Sequence, residues 1–357
     1  MGAGASANSV VNIPVINKKK SESIDQFLLH EKLKETKSVK LLLLGRPESG
    51  KSTLARQIRL IHDRDFMETE RLAYRSVLRQ NLIDILKTLL QTIDQLNIQT
   101  GAEYHNLYEE LSEIPSGTGE YLVARRHTIK QFLASAAFHQ CMVRRWEYNL
   151  QSSAKYLLDG VDRLLDPGYV PSTQDILRAR IDNSGLHETS FKFKGLEFRM
   201  VDVGGQRSDP RKWIHYFDNV SALIYTVDIS RYDQQRDDDG IIGEQNELLE
   251  SLALFKKVVS HRVFSNTTSI LFLNKTDLFK QKIQHVPLRC CFPEYKGTNE
   301  YKEASIFVQW KFKQSITDNK EMYSHFTTAT DTSNIQTVFD SVIAIILKCS
   351  QNSAILY

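Results

Sequence analysis

The sequence predicts an α/β protein: a mostly parallel six-stranded sheet covered by helices on both faces, with an all-α domain inserted into it. Three observations predict this. Apolar runs of buried-strand type occur at residues 41–44, 222–227 and 269–273, with helical patterns between the later ones, and alternating strands and helices form parallel sheets. From Phe66 to about Asp166 the alternation stops; only helical periodicity is found, with one proline, Pro115. After Pro167 and Pro171 the strand pattern resumes, so the helical stretch reads as an insertion. The implied organisation is an N-terminal helical segment over 1–37, a first part of the α/β domain over 38–65, the insert over 66–172 and the second part of the α/β domain over 173–357.

In order, residues 21–37 are polar with Ile24, Phe27, Leu28 and Leu33 on loosely helical spacing. After the first strand, Leu54, Ile58 and Ile61 predict a helix ending near His62. Leu78, Leu82, Ile85, Leu89, Ile93 and Leu96 recur every three or four residues and predict a long amphipathic helix packed in a core. Shorter helical patterns cover Tyr121–Tyr148 and Ser152–Leu165. Phe191–Phe193 and Leu196–Val201 alternate across Lys194-Gly195, which predicts a hairpin. Further helices are expected near Glu244–Val259, Tyr301–Phe312 and Asn334–Cys349.

The first strand runs into Gly45-Arg46-Pro47-Glu48-Ser49-Gly50-Lys51-Ser52-Thr53. This is the G-x-x-x-x-G-K-[ST] phosphate loop, whose backbone N–H groups and following helix N-terminus cradle phosphates. Lys51 is expected to reach the β/γ-phosphates and the Ser52 hydroxyl to ligate Mg²⁺. Downstream, Asp202-Val203-Gly204-Gly205-Gln206 follows a strand. Its carboxylate can hold Mg²⁺ directly or through water, Gly205 lets the backbone approach a γ-phosphate, and Gln206 can orient an attacking water. Asn274-Lys275-Thr276-Asp277 follows the last apolar run. The Asp277 carboxylate accepts two hydrogen bonds, which matches guanine N1–H and N2–H₂; adenine offers no such donor pair. Arg180, just after the insert, can stabilise a phosphoryl transition state as an arginine finger in cis.

Composition narrows the class. A net charge of +3, with basic residues scattered apart from Lys18-Lys19-Lys20, gives no argument for nucleic acid. The four cysteines, Cys141, Cys290, Cys291 and Cys349, lack metal-ligand spacing and fit free thiols in a reducing cytosol. No apolar run approaches a membrane span. Met1-Gly2-Ala3-Gly4-Ala5-Ser6 fits the pattern for a myristoyl group on Gly2. One such chain binds membranes marginally, and Lys18–Lys20 can supply the electrostatic part.

Together these residues resemble the α subunits of heterotrimeric G proteins. The resemblance covers nearly the whole chain, including Leu177-Arg178-Ala179-Arg180, Asp202–Ser208, Phe292-Pro293-Glu294-Tyr295 and Thr327-Thr328-Ala329-Thr330. It implies a Ras-like P-loop GTPase domain with an inserted helical domain, GTP and GDP as ligands and Mg²⁺ as cofactor. It implies that Glu48, Ser49, Gly50, Lys51, Ser52, Thr53, Leu177, Arg178, Asp202, Gly205, Asn274, Lys275, Asp277 and Ala329 hold the nucleotide, with Ser152 and Ser153 approaching from the insert. Gln206 and Arg180 are then the catalytic pair. The partners implied are a βγ dimer in the GDP form, a seven-transmembrane receptor entered by Ala354 to Tyr357, a downstream effector and a GTPase-activating regulator. The region around Arg207–Trp213 would be the switch that meets βγ or effector. With the Gly2 lipid, the expected place is the cytoplasmic face of the plasma membrane.

Four positions depart from the family. Pro47 replaces a glycine, donates no N–H and fixes φ beside the γ-phosphate and Gln206. Asn183 replaces the threonine that ligates Mg²⁺ from the first switch, and an amide oxygen can serve there. Pro210 replaces an arginine that helps lock the second switch, with Glu250 its expected partner. Ala354 replaces a modifiable cysteine. Two readings follow: a slow GTPase timer, or a nucleotide-bound scaffold that sequesters βγ and hydrolyses poorly.

Overall fold

The computed structural model describes residues 38–63, 65–112, 121–181, 185–203, 217, 219–238, 241–265, 267–316 and 321–354. The N-terminal helical segment, Gly2, Asn183, Gly205, Gln206 and Pro210 lie outside these residues. The first part contains β1 (Ser38–Gly45) and α1 (Lys51–His62). The insert contains α2 (Glu68–Gln95), α3 (Ala102–Ser112), α4 (Tyr121–Ala124), α5 (Arg126–Leu133), α6 (Ala136–Val143), α7 (Ala154–Asp159) and α8 (Val161–Leu164). The chain then returns through α9 (Thr173–Arg178), β2 (Leu186–Phe193), β3 (Leu196–Val203) and β4 (Ala222–Asp228). It continues with β5 (Gln235–Asp238), β6 (Ile241–Asn246), α10 (Glu247–Val259), β7 (Thr268–Asn274) and α11 (Thr276–Lys282). The last elements are α12 (Tyr301–Gln314), β8 (Met322–Thr327) and α13 (Thr332–Ala354).

The main sheet has six strands in the order β2-β3-β1-β4-β7-β8, and every pairing but β2 with β3 is parallel. Leu41 to Leu44 of β1 are all buried, as a parallel strand covered on both faces requires. Side chains alternate across the pleat. Leu42 and Leu44 enter a core with Phe255, Phe279, Val308 and Phe312 of α10, α11 and α12. Leu41 and Leu43 enter the other core, with Leu54 and Ile58 of α1 and Ile335, Phe339 and Val342 of α13. The β2–β3 turn places Lys194 at φ 50° and Gly195 at φ 78°, the mirror-image turn that suits a two-residue hairpin.

The insert has its own core. Leu78, Leu82, Ile85, Leu86, Leu89 and Ile93 of α2 pack on Leu107, Ile129, Phe132, Leu157 and Leu164. The expected long helix starts ten residues before its first apolar marker, because Glu70 reaches back to the Met67 N–H at 2.9 Å and closes the first turn. The expected pattern over Tyr121–Tyr148 is three short helices; Ser135 ends one and caps the next, accepting from the Phe138 N–H at 3.2 Å.

One expected boundary is corrected, and three elements lacked a sequence signal. The helix expected from Glu244 begins at Glu247, because Asn246 Oδ1 accepts from the Leu248 and Leu249 N–H groups at 2.9 and 3.2 Å. Residues 241–246 instead pair with 235–238 as a small antiparallel ribbon. The helix α3 and the sixth strand, β8, were not located by pattern; β8 is an edge strand, half-buried over most of its length, so it lacks a strong apolar run.

His62 ends α1 among the rings of Phe191, Phe193 and Phe339, at centroid distances of 5.1, 5.1 and 5.4 Å. Its Nε2, like that of His325 on β8, is buried without a partner among the described residues. Burial holds both below the ordinary 6.5, with Asp340 opposing at His62. A folded state that prefers the neutral ring binds fewer protons than the unfolded chain once pH falls below about 6.5. Thermal stability should therefore fall from pH 7.5 to 5.5, and His62→Phe should flatten that slope. Melting curves across this range check it; an unchanged slope in the variant would remove His62 from the explanation.

Candidate functional site

Five parallel strand ends and the loop that leaves the first of them define the site. In register, Leu43 lies beside Asp202, Gly45 beside Thr226, Asp228 beside Asn274, and Asn274 beside Thr327. Parallel sheets bind ligands at this carboxyl edge. The loop from β1 to α1 must turn sharply over it. Gly45 has φ 147° and a Cβ there would lie 2.3 Å from the Thr226 carbonyl. Gly50 has φ 102° and a Cβ would lie 2.1 Å from Asn274 Nδ2. The two motif glycines are therefore required by backbone conformation and by close approach. Glu48 between them also takes a positive φ, 59°.

Lys51 is buried, and its ammonium donates to the Gly45 and Arg46 carbonyls at 3.0 and 2.9 Å. Burial lowers its pKa, with Asp202 opposing. The Ser52 hydroxyl donates to Asp202 Oδ2 at 3.0 Å, while Asp202 Oδ1 is buried with no partner among the described residues. Burial raises the Asp202 pKa against the pull of Lys51 and Ser52. An orphaned carboxylate oxygen beside a hydroxyl is a hard oxygen donor set, and it fits Mg²⁺. Ser49 and Asp202 sit behind the cavity wall; Ser49 Oγ meets Thr226 Oγ1 at 2.8 Å.

At the other end, Asn274 Nδ2 donates to the Ser49 carbonyl at 2.7 Å, and its Oδ1 accepts from Thr327 Oγ1 at 3.1 Å and the Ala329 N–H at 3.0 Å. Lys275, at φ 61°, pairs with Asp228 at 2.7 Å and donates to Ser152 Oγ of the insert at 2.7 Å. Asp277 is exposed and lines the cavity, as does Ala329.

One cavity of about 970 Å³ joins these groups to the insert. Its lining includes Glu48, Gly50, Lys51, Ser52 and Thr53 of the loop, Ser152 and Ser153 of the insert, and Leu177, Arg178 and Arg180 of the return segment, as well as Asn274, Lys275, Asp277 and Ala329. Thr53 Oγ1 donates to the Leu177 carbonyl at 3.1 Å. Arg178 stacks on Tyr156, 4.2 Å from the ring centroid. Arg180 pairs with Glu48 at 2.8 Å, while its backbone N–H and C=O meet the Asn81 amide at 2.7 and 3.0 Å. Glu48 also pairs with Arg231. Burial raises the Glu48 pKa, but Arg231, Arg180 and Lys275 together hold it below the usual carboxylate value.

Sequence reasoning missed Asn81, Asp228, Arg231 and Trp146. Asn81 carried a signal, since it interrupts the apolar stripe between Leu78 and Leu82. So did Asp228, a carboxylate at a strand end like Asp202. Arg231 and Trp146 carried none. Trp146 of the insert stacks on His285, with centroids 6.2 Å apart, and Lys282 Nζ stands 5.5 Å from its ring. Lys282 is itself held by Asp233 at 2.6 Å.

The loop, the strand ends and a second domain closing the cavity define a phosphate-loop nucleotide-binding protein with a helical insert. A G-protein alpha subunit family model matches residues 18–346. The chain is 40% identical over 348 residues to the guanine nucleotide-binding protein alpha-4 subunit of Caenorhabditis briggsae, covering 93% of this chain and 94% of that protein. The chain belongs to the G-protein alpha subunit family, so it is a guanine-nucleotide-binding signalling protein with a Ras-like domain and a helical domain.

The Trp146 stack and the Lys275–Ser152 bond join the two walls of the cavity. A cation–π contact contributes roughly 0.5–2 kcal/mol. Trp146→Ala should therefore speed GDP release by about two- to thirtyfold, with little change in melting temperature; stopped-flow release of a fluorescent GDP analogue measures it.

Proposed function

We propose that this chain is a heterotrimeric G-protein α subunit that binds GDP and GTP, hydrolyses GTP slowly, and passes a seven-transmembrane receptor's signal to an effector. The observation that carries this reading is the Arg180 arrangement. A long insert helix grips the arginine's backbone through Asn81 and sets its guanidinium over the phosphate loop at Glu48. A pure binding module has no need of a cation fixed there.

In this reading Lys51 binds the β/γ-phosphates, and the N-terminus of α1 adds its dipole. Ser52 and Asp202 would hold Mg²⁺, with Asn183 as the candidate first-switch ligand, and the ion would supply charge neutralisation for the transferred group. Gln206 orients a water toward the γ-phosphorus. The new P–O bond forms as the bond to the β–γ bridging oxygen breaks, giving GDP and phosphate. Arg180 leaves Glu48 and stabilises the charge that develops on that bridge. Asp277 reads guanine N1–H and N2–H₂, while Ala329 touches the base. Asn274 acts by fixing Ser49, Thr327 and Ala329 around them.

The partners proposed are a βγ dimer, a receptor that takes the C-terminal residues, an effector and a GTPase-activating regulator. Gly2 acylation with Lys18–Lys20 would hold the chain at the cytoplasmic face of the plasma membrane; among the described residues no helix is long and apolar enough to cross one. The second reading is a hydrolysis-poor βγ-sequestering scaffold, favoured by Pro47 on the cavity wall, where no backbone N–H can be offered.

Single-turnover hydrolysis of bound GTP separates the two. Arg180→Ala should slow it by about 10³-fold or more while GDP still binds, and Asn81→Ala should fall between. Lys51→Ala should abolish binding. Measurable wild-type turnover that Arg180→Ala leaves unchanged would sink the arginine-finger assignment. Wild-type turnover near the uncatalysed rate, rescued by Pro47→Gly, would favour the scaffold.

A further inference from the structure

The phosphate loop is tied from outside on both flanks of Pro47. On one side, the Arg46 guanidinium pairs with Glu250 in the first turn of α10, 204 positions away; both side chains are mostly buried, at 19% and 13% exposure. On the other side, Glu48 pairs with Arg231, which pairs with Glu247 at 2.8 Å. Glu247 and Glu250 are three residues apart, so one helical turn presents both carboxylates. That turn is itself anchored to the sheet: Tyr225 Oη on β4 donates to the Ser251 carbonyl at 3.1 Å. Inside the loop, the Arg46 carbonyl accepts from Lys51 Nζ at 2.9 Å and from the Ser49 N–H at 3.3 Å. Where Arg46 sits therefore sets where the phosphate-binding lysine sits.

We propose that Arg46 and Glu250 are positioning residues for nucleotide binding, and that the first turn of α10 is a brace that holds the phosphate loop around Pro47. This rests on the nucleotide-site reading above. The physical need is local. Proline removes one backbone donor at the centre of the loop and fixes its φ, so side chains on either neighbour carry constraint that the backbone there cannot. The two legs differ. Arg231 also meets Asp228, at 3.5 Å, and belongs to the wider charge network. The Arg46–Glu250 leg connects the loop to α10 directly. A movement of α10 is then transmitted to Lys51 through a side chain within the loop.

The test is GDP release from the full-length protein bearing Arg46→Ala, Glu250→Gln, both together, and the exchanged pair Arg46→Glu with Glu250→Arg. Each single change should speed release by about five- to tenfold. The double should match a single rather than multiply the two, and the exchanged pair should return most of the way to wild type. Amide exchange of peptides spanning residues 45–53, without nucleotide, gives a second reading: faster in the singles, slowed again in the exchanged pair. If Arg46→Ala does not fold, Arg46→Lys takes its place, with a smaller effect in the same direction. Release within twofold of wild type in both folded singles, multiplicative effects in the double, or loop exchange unchanged throughout would each overturn the brace. A wild-type protein that binds no guanine nucleotide would instead overturn the functional reading, and loop exchange would still decide the brace.

Discussion

The Asn274 side chain joins three loops that the sequence keeps far apart. Its amide nitrogen holds the phosphate loop at Ser49, and its oxygen holds Thr327 and Ala329 from the end of the last strand. The group is 2% exposed, so each of these bonds forms away from solvent and each lost partner would be left unsatisfied. Gly50 follows from it, because any side chain there would collide with that amide. Asn274 therefore connects the phosphate end and the base end of the cavity, and the spacing between Lys51 and Asp277 depends on it.

The insert takes part in the site through its connection back to the sheet. Asp175 in α9 is fully buried, and Arg163 and Tyr156 of the insert, with Ser172, satisfy its carboxylate. Burial opposes its charge, yet these partners keep its pKa below the usual value. A buried carboxylate so held fixes the α9 segment against the insert. From the other side, Thr53 and Arg56 of α1 bond the carbonyls of Leu177, Ile176 and Ala179. Arg180 is the next residue along. It emerges from a segment gripped by both domains, so its guanidinium starts from a defined place without a rigid side chain. Around it, Arg180, Arg231 and Lys275 meet Glu48, Asp228 and Glu247. This network is charge-balanced, which leaves Lys51 and the α1 N-terminus to attract phosphate.

Much of this was legible because its physics is local. The phosphate loop announces itself through glycines at fixed spacing, and the strands through apolar runs buried on both faces. The helical insert was visible from the period of Leu78 to Leu96. What was not legible depends on partners distant in sequence. Nothing near Arg46 points to Glu250, and nothing near Trp146 points to His285 or Lys282. The start of α10 turned on the capping amide of Asn246, against a helical pattern that ran through it. β8 escaped because an edge strand needs only half an apolar face. Asn274 was read as part of the base-recognition motif, but its hydrogen bonds go to protein; Asp277 faces the cavity. The motif divides into a scaffold residue and a reading residue, a division its spacing cannot express.

Pro47 affects the two ends of the loop unequally. Phosphate attraction comes from Lys51 and from the first turn of α1, where helix N–H groups lack intrahelical acceptors. Both lie downstream of the proline, beyond Gly50. Asn274, Ser49 and the Thr53–Leu177 bond hold their surroundings, while Lys51 itself also donates to the Gly45 and Arg46 carbonyls on the proline's other side. In the function proposed above, Pro47 faces the γ-phosphate, where the missing donor and the ring bear on the transferred group. On the reading proposed above, the proline bears most directly on the transferred group, while the Arg46–Glu250 pair carries what the loop loses for Lys51. On that reading, residue 47 retunes the hydrolytic step more than it loosens the ligand.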